Sequence, residues 1–265
     1  MQAMNPAILG IIAIILYLIG TGMQYMSSGE QNKTIAVIGA AAILLHGITS
    51  YIGFYTTVGI DLGLYPMLSL TTFAVTSVLW ISSLRRDVNS LFVVVFPVAA
   101  VSVLLQLSIE GAYTPRDDIS RGIGTHIVLS VFAYALVTVA ALQAAFLSFG
   151  NYELKHHKLE TVKRLPPLET MEALMFEMLG AGLILLSLSI LSGFLFLQDI
   201  RNPGLIHHTV ITMAAWLVFA ILLWGRVKLG WRGAIASRWA LSGFALLVVG
   251  YFGSKLVIEV ILDRV

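Results

Sequence analysis

The sequence predicts an all-α integral membrane bundle of about eight transmembrane helices with both termini outside. Three observations predict it. Apolar stretches close to the ~20 residues that a bilayer-spanning helix needs recur along the whole chain. Only 11% of the residues are charged and 58% are hydrophobic, whereas a typical soluble domain carries about 25% charged residues. Basic residues gather in alternate connections, as a chain threaded back and forth through a membrane requires.

The stretches run Pro6–Tyr25, Ile35–Tyr55, Met67–Leu84, Leu91–Leu107, His126–Phe149, Met175–Leu197, His207–Gly225 and Ala240–Ile261. Barrel strands would be about 10 residues long and would alternate in polarity; these segments do neither. The first stretch reads as a retained helix. Met1–Pro6 carries no Lys or Arg, and no small-x-small cleavage site stands out before Ser27.

The connections set the orientation. Lys33 lies in the first, Arg85 and Arg86 in the third, and Lys155, Lys158, Lys163 and Arg164 in the fifth. Arg226, Lys228, Arg232 and Arg238 lie in the seventh. Eleven of the 16 basic residues therefore share one side, which the positive-inside rule makes cytoplasmic. Arg116, Arg121, Arg201 and Arg264 fall on the other side, and Lys255 lies inside the last helix. The lipid bilayer is the expected partner. A formal net charge of +2 gives no reason to expect nucleic acid.

Residues 1–265 read as a single transmembrane domain without repeats. The longest connections are Ser108–Thr125 outside and Gly150–Thr170 inside. Pro166 and Pro167 mark a break before a helix starting near Glu169, whose Glu169 and Glu172 suit the positive end of the helix dipole. Thr114-Pro115 is expected to start a short surface helix. The chain has no cysteine, so it holds no disulfide and no thiol chemistry. A metal or cofactor site must use His, carboxylate, Met or Tyr.

Histidine carries most of the candidate chemistry. His46 falls near mid-bilayer in the second stretch. An ionisable side chain there is either functional or a neutral imidazole hydrogen-bonded to a Ser or Thr of a neighbouring helix. His126 opens the fifth stretch, and His207 and His208 open the seventh, all on the outer side. Helices entering from one face, each led by histidine, can clamp a planar ligand; imidazole suits haem iron, zinc or copper. The plainer reading is interfacial histidine in contact with water and headgroups. Arg116 and Arg121 could neutralise a pair of ligand carboxylates, or could pair with the adjacent Asp117 and Asp118. Lys255 and Glu259 are spaced to pair across one helical turn. His156 and His157 lie in a solvated basic loop. No usable triad, phosphate loop or paired catalytic carboxylates are present, so no catalytic residue is assigned and enzymatic activity is left open.

Several segments resemble a known superfamily. They are Ala215-Trp216-Leu217-Val218-Phe219-Ala220-Ile221-Leu222-Leu223-Trp224-Gly225-Arg226, Gly230-Trp231-Arg232-Gly233 and Gly250-Tyr251-Phe252-Gly253. Together they resemble the cytochrome c assembly superfamily, related to CcsA and CcmC. Pro166-Pro167-Leu168-Glu169-Thr170-Met171-Glu172 resembles its HemX/YpjD-like inner-membrane branch. The resemblance implies haem handling at the outer face. His126, followed by a helix with Tyr134, resembles the first of two outer histidines, and His46 resembles a haem-binding membrane histidine. The departures are also clear. Asn202-Pro203-Gly204-Leu205-Ile206-His207-His208 stands where the superfamily carries a Trp-x-Trp-Asp segment, and Trp224 stands where a second membrane histidine belongs. Full synthase activity is therefore not expected. His207 or His208 would replace the missing ligand, with His126 and His207 as the expected pair for haem iron.

Two functions follow. In the first, the chain binds or handles haem at the outer face and positions the cofactor. In the second, it is a cofactor-free helper that regulates or stabilises a partner transporter or an enzyme of haem synthesis.

Overall fold

The computed structural model describes residues 6–27, 33–86, 88–109, 111, 113–117, 119–157, 165–196 and 203–261, with the side chains of 203–207 excepted. Among them are eight helices long and apolar enough to cross a membrane, and no strand. Large apolar side chains such as Val37, Leu44, Val101, Ile184 and Leu217 stand exposed. Water would not tolerate so wide an apolar surface, but lipid does. The chain divides into two compact units.

The first unit comprises Met1–Asp118 and Lys255–Val265. It contains α1 (Pro6–Met26), α2 (Lys33–Phe54), α3 (Leu64–Ser83) and α4 (Phe92–Ser108), with a 3-10 turn at Asn89–Leu91 before α4. Helix α1 packs on both α2 and α4, and α3 closes against α2 and α4. Small residues permit this. A Cβ on Gly20 or on Gly39 would come within 3.0 Å of the buried Phe96 ring.

The second unit, Ile119–Ser254, contains α5 (Arg121–Lys155), α6 (Leu168–Phe196), α7 (Pro203–Leu229) and α8 (Gly233–Val248). After α8 the chain continues as a π-helical stretch, Val249–Gly253. Helices α5 and α6 form the longest contact, with Gly182 of α6 against Val137 of α5. The core is Ala133, Val137, Ala140, Met175, Leu179, Phe219, Leu222 and Ala240 with their neighbours.

Helix limits differ from the apolar runs. Helix α5 begins five residues before His126, where the Ser120 hydroxyl accepts from the Ile123 N–H (3.3 Å). Helix α6 begins at Leu168, directly after the two prolines and one residue from the start expected near Glu169, whereas α8 begins at Gly233 rather than at Ala240. Hydrogen bonding carries each helix beyond its apolar segment. Gly230 ends α7 in the left-handed region (φ 68°), which costs glycine little. The surface helix expected at Thr114-Pro115 is not formed. Arg116 instead pairs antiparallel with Ile60: its N–H donates to Ile60 O (3.0 Å), and Ile60 N–H donates back to Arg116 O (2.8 Å).

Each unit fastens a helix start with a carboxylate from elsewhere in its sequence. In the second, Glu172 of α6 accepts from Gly233 N–H (3.0 Å) and Arg232 Nε (2.8 Å) and pairs with Arg226 (3.1 Å). Its negative charge thus serves the positive end of α8 rather than of its own helix. In the first, Glu259 accepts from Leu64 N–H at the start of α3 (2.7 Å) and from Lys255 (2.9 Å), the pair that their spacing predicts. Lys255 also donates to Leu62 O.

Candidate functional site

In the second unit α5 runs antiparallel to α6, with His126 beside Ser189 and Ser192, and α7 runs antiparallel to the last helix, with His208 beside Gly250. His126 lies five residues into α5 and His208 five residues into α7. Alternation of helix direction places both at one end of the unit, opposite the Glu172 ion-pair cluster.

The hydrogen bonds of these imidazoles fix where their protons sit. His126 Nδ1 lies 2.8 Å from the backbone carbonyl of Ser189 and 3.2 Å from Ser192 Oγ. A carbonyl only accepts, so Nδ1 carries the hydrogen and donates. In the neutral ring the lone pair then belongs to Nε2. The Ser192 hydroxyl donates to the same carbonyl (2.8 Å), and Ser130 and Ser189 hydroxyls meet at 2.6 Å beside it. His208 repeats the arrangement on another helix: its Nδ1 donates to the carbonyl of Gly250 (3.1 Å). A donor bond from one ring nitrogen to a backbone carbonyl is the usual way a protein orients a metal-binding imidazole by its other nitrogen. Both rings are partly buried.

His46 of the first unit is built differently. It is fully buried, and both of its nitrogens meet hydroxyls: Tyr17 OH lies 3.0 Å from Nδ1 and Ser69 Oγ 3.1 Å from Nε2. Ser69 in turn meets Ser50 at 2.8 Å. Each hydroxyl can donate or accept, so neither nitrogen is fixed as the donor. The Tyr17 and Phe73 rings meet the imidazole edge-on, at 5.7 and 5.8 Å between centroids.

Arg116 belongs to the first unit and Arg121 begins α5 of the second; both side chains are exposed. The side chain of His207 lies outside the described residues. Trp224 is 57% exposed on α7. Among the described residues no cluster of three or more His, Asp or Glu could hold a bare metal ion. An iron already held in a planar macrocycle needs only one or two protein ligands.

Sequence reasoning offered a Ser or Thr partner for His46, and Ser69 of α3 is one, but it missed which residues orient the histidines. The Ser189 and Gly250 carbonyls carry no side-chain signal, and Tyr17 and Ser69 lie far from His46 in the chain. The one available hint is Tyr134. It follows His126 by eight residues, and its hydroxyl donates to the Leu247 carbonyl of the last helix.

Comparison with known proteins gives the family. Residues 6–262 match the cytochrome c assembly protein family, and the chain belongs to it. It is 30% identical to the inner membrane protein YpjD of Escherichia coli over 96% of this chain and 98% of that protein. It is also similar to protein HemX of Brevibacillus brevis, with 23% identity over 63% of this chain and 57% of HemX. The cytochrome c biogenesis protein CcsA of Chlamydomonas reinhardtii is 29% identical over 51% of this chain and 38% of CcsA. No solved structure matches. The chain is a multi-pass protein of the inner membrane.

Proposed function

We propose that this member of the cytochrome c assembly family binds or handles haem at the outer face of the membrane, through His126 and His208 of its second unit. The carrying observation is their shared hydrogen bonding. Each donates Nδ1–H to a carbonyl of a neighbouring helix, which leaves Nε2 with the lone pair in the neutral ring. This donor set suits haem iron, and His207, next to His208, is the neighbouring candidate. Bound haem would supply an iron centre whose axial positions accept imidazole. The protein would orient the rings, and the apolar helices around them would limit water. Arg121, at the start of α5, is a candidate for a propionate, since a guanidinium pairs bidentately with a carboxylate; Arg116, the other arginine expected from the sequence, belongs to the first unit. His46 is proposed as a hydrogen-bonded core residue, because both of its nitrogens are already engaged.

The outer face is assigned from the distribution of basic residues. The cysteine-free chain allows a direct test with an impermeant thiol reagent in intact cells. Ser120→Cys should label and His156→Cys should not; the reverse would invert the orientation. The haem reading is tested by the visible absorption spectrum of protein purified in mild detergent from haem-replete cells. A Soret band is expected in the wild type and should be largely lost in His126→Ala. A wild type without a Soret band would contradict haem binding and favour the cofactor-free helper.

A further inference from the structure

The last helix of the second unit departs from α geometry at Val249–Gly253, and three side chains from three places in the sequence converge on that departure. His208 of α7 donates Nδ1–H to Gly250 O (3.1 Å). Ser254 donates to Gly250 O (2.8 Å) and to Tyr251 O (2.9 Å). Tyr134 of α5 donates its hydroxyl to Leu247 O, just before the π stretch. A π turn moves each backbone hydrogen bond to the residue five along, and such stretches are rare inside α-helices.

Packing explains why the carbonyl at position 250 is the one that is reached. A Cβ on Gly250 would stand 2.8 Å from Cγ2 of Ile211, one turn beyond His208 on α7. Only glycine lets the two backbones approach this closely. The Tyr251 ring stands 5.6 Å from the His208 ring and 5.9 Å from Tyr134. Phe252 meets Tyr134 edge-on at 5.6 Å.

We infer that the π-helical stretch is a positioning device for His208: Gly250 supplies the carbonyl, and Tyr134 pins the segment that holds it. It fixes the Nδ1–H tautomer, which in the neutral ring puts on Nε2 the lone pair that a metal-centred cofactor would need. Because Tyr134 sits about two turns along α5 from His126, one helix bears the first imidazole and steadies the second. The inference rests on the haem reading for its purpose, but its geometry can be tested without haem.

The test is nitrogen NMR of the six histidines in haem-free, detergent-solubilised full-length protein labelled with 15N-histidine. His208→Gln identifies the signal. Wild-type His208 should favour the Nδ1–H form by about tenfold, the preference that one net hydrogen bond provides. Gly250→Ala should shift the His208 signal toward mixed tautomers and leave that of His126 unchanged. Tyr134→Phe removes only a hydroxyl and should cause a smaller shift in the same direction, which covers the case in which Gly250→Ala does not fold. A wild-type His208 with its proton on Nε2, or a signal unmoved by every variant that folds, would overturn the inference. Haem uptake is measured separately. The expected tautomers without haem uptake would contradict the haem reading alone, whereas haem uptake with the wrong tautomer would contradict the positioning alone.

Discussion

His46 in the first unit and the pair His126 and His208 in the second use the same side chain in two ways. His46 is sealed in the core between Tyr17 and Ser69, with a hydroxyl on each nitrogen. His126 and His208 lie near a helix end, and each donates Nδ1 to a backbone carbonyl. The difference teaches that depth in the membrane is a poor guide to ligand chemistry. A ring whose two nitrogens both meet hydroxyls is serving the fold. A ring whose Nδ1 donates to a carbonyl is oriented, and in its neutral form the lone pair sits on Nε2.

The units also share a device, and the largest expected effects test it. Removing a buried, paired carboxylate leaves a cation with a lost partner, which costs about 3–5 kcal/mol when both groups are fully buried. Glu259→Ala should approach that range, because Glu259 and Lys255 side chains are 7% and 19% exposed. Glu172→Ala should cost less, since Arg226 and Arg232 are 33% and 63% exposed and water can take over part of the role. Thermal unfolding in detergent measures both; a larger loss for Glu172→Ala would reverse the ranking of the two ties.

Next in size is the His46 network. His46→Leu removes the imidazole partner of the Tyr17 hydroxyl, at about 1–3 kcal/mol for an unsatisfied buried group, while Ser69 keeps Ser50. His46→Gln keeps a donor and an acceptor and should cost clearly less. Equal losses in the two variants would show that volume, rather than hydrogen bonding, sets the role of this site.

The smallest effect concerns Asp61, in the connection before α3. Burial raises its carboxyl above the usual carboxylate range, against the Gly63 N–H bond that lowers it; Glu259 raises it further and Lys255 lowers it. The folded state therefore holds this proton more tightly than the unfolded chain. The stability it contributes is fully present below the unfolded value and is lost as pH rises through the raised folded value. Asp61→Asn, which can still accept from Gly63, should raise the melting temperature near neutral pH and change it little in acid. A variant that gained nothing at neutral pH would contradict the sign.

Much of this contrast was legible in the sequence, and its limits have physical causes. The eight spans follow from apolar runs, and the depth of His46 follows from its place within one of them. Helix ends were legible only in part: the two prolines mark the start of α6, whereas backbone hydrogen bonds carry α5 past its apolar segment. The role of each histidine was not legible. It depends on Tyr17, Ser69 and two backbone carbonyls that are remote in sequence, and a carbonyl looks the same at every position. The π stretch is equally silent: Val249-Gly250-Tyr251-Phe252-Gly253 reads as ordinary membrane helix, and Gly250 acquires meaning only against Ile211.

The most direct test of the central claim compares the two units in one haem titration in detergent, followed by the Soret absorbance of wild type, His46→Gln and His126→Ala/His208→Ala. The account predicts full haem binding in wild type and in His46→Gln, and loss of most of it in the double variant. Haem binding that survives the double variant but disappears in His46→Gln would contradict the account and place the cofactor in the first unit.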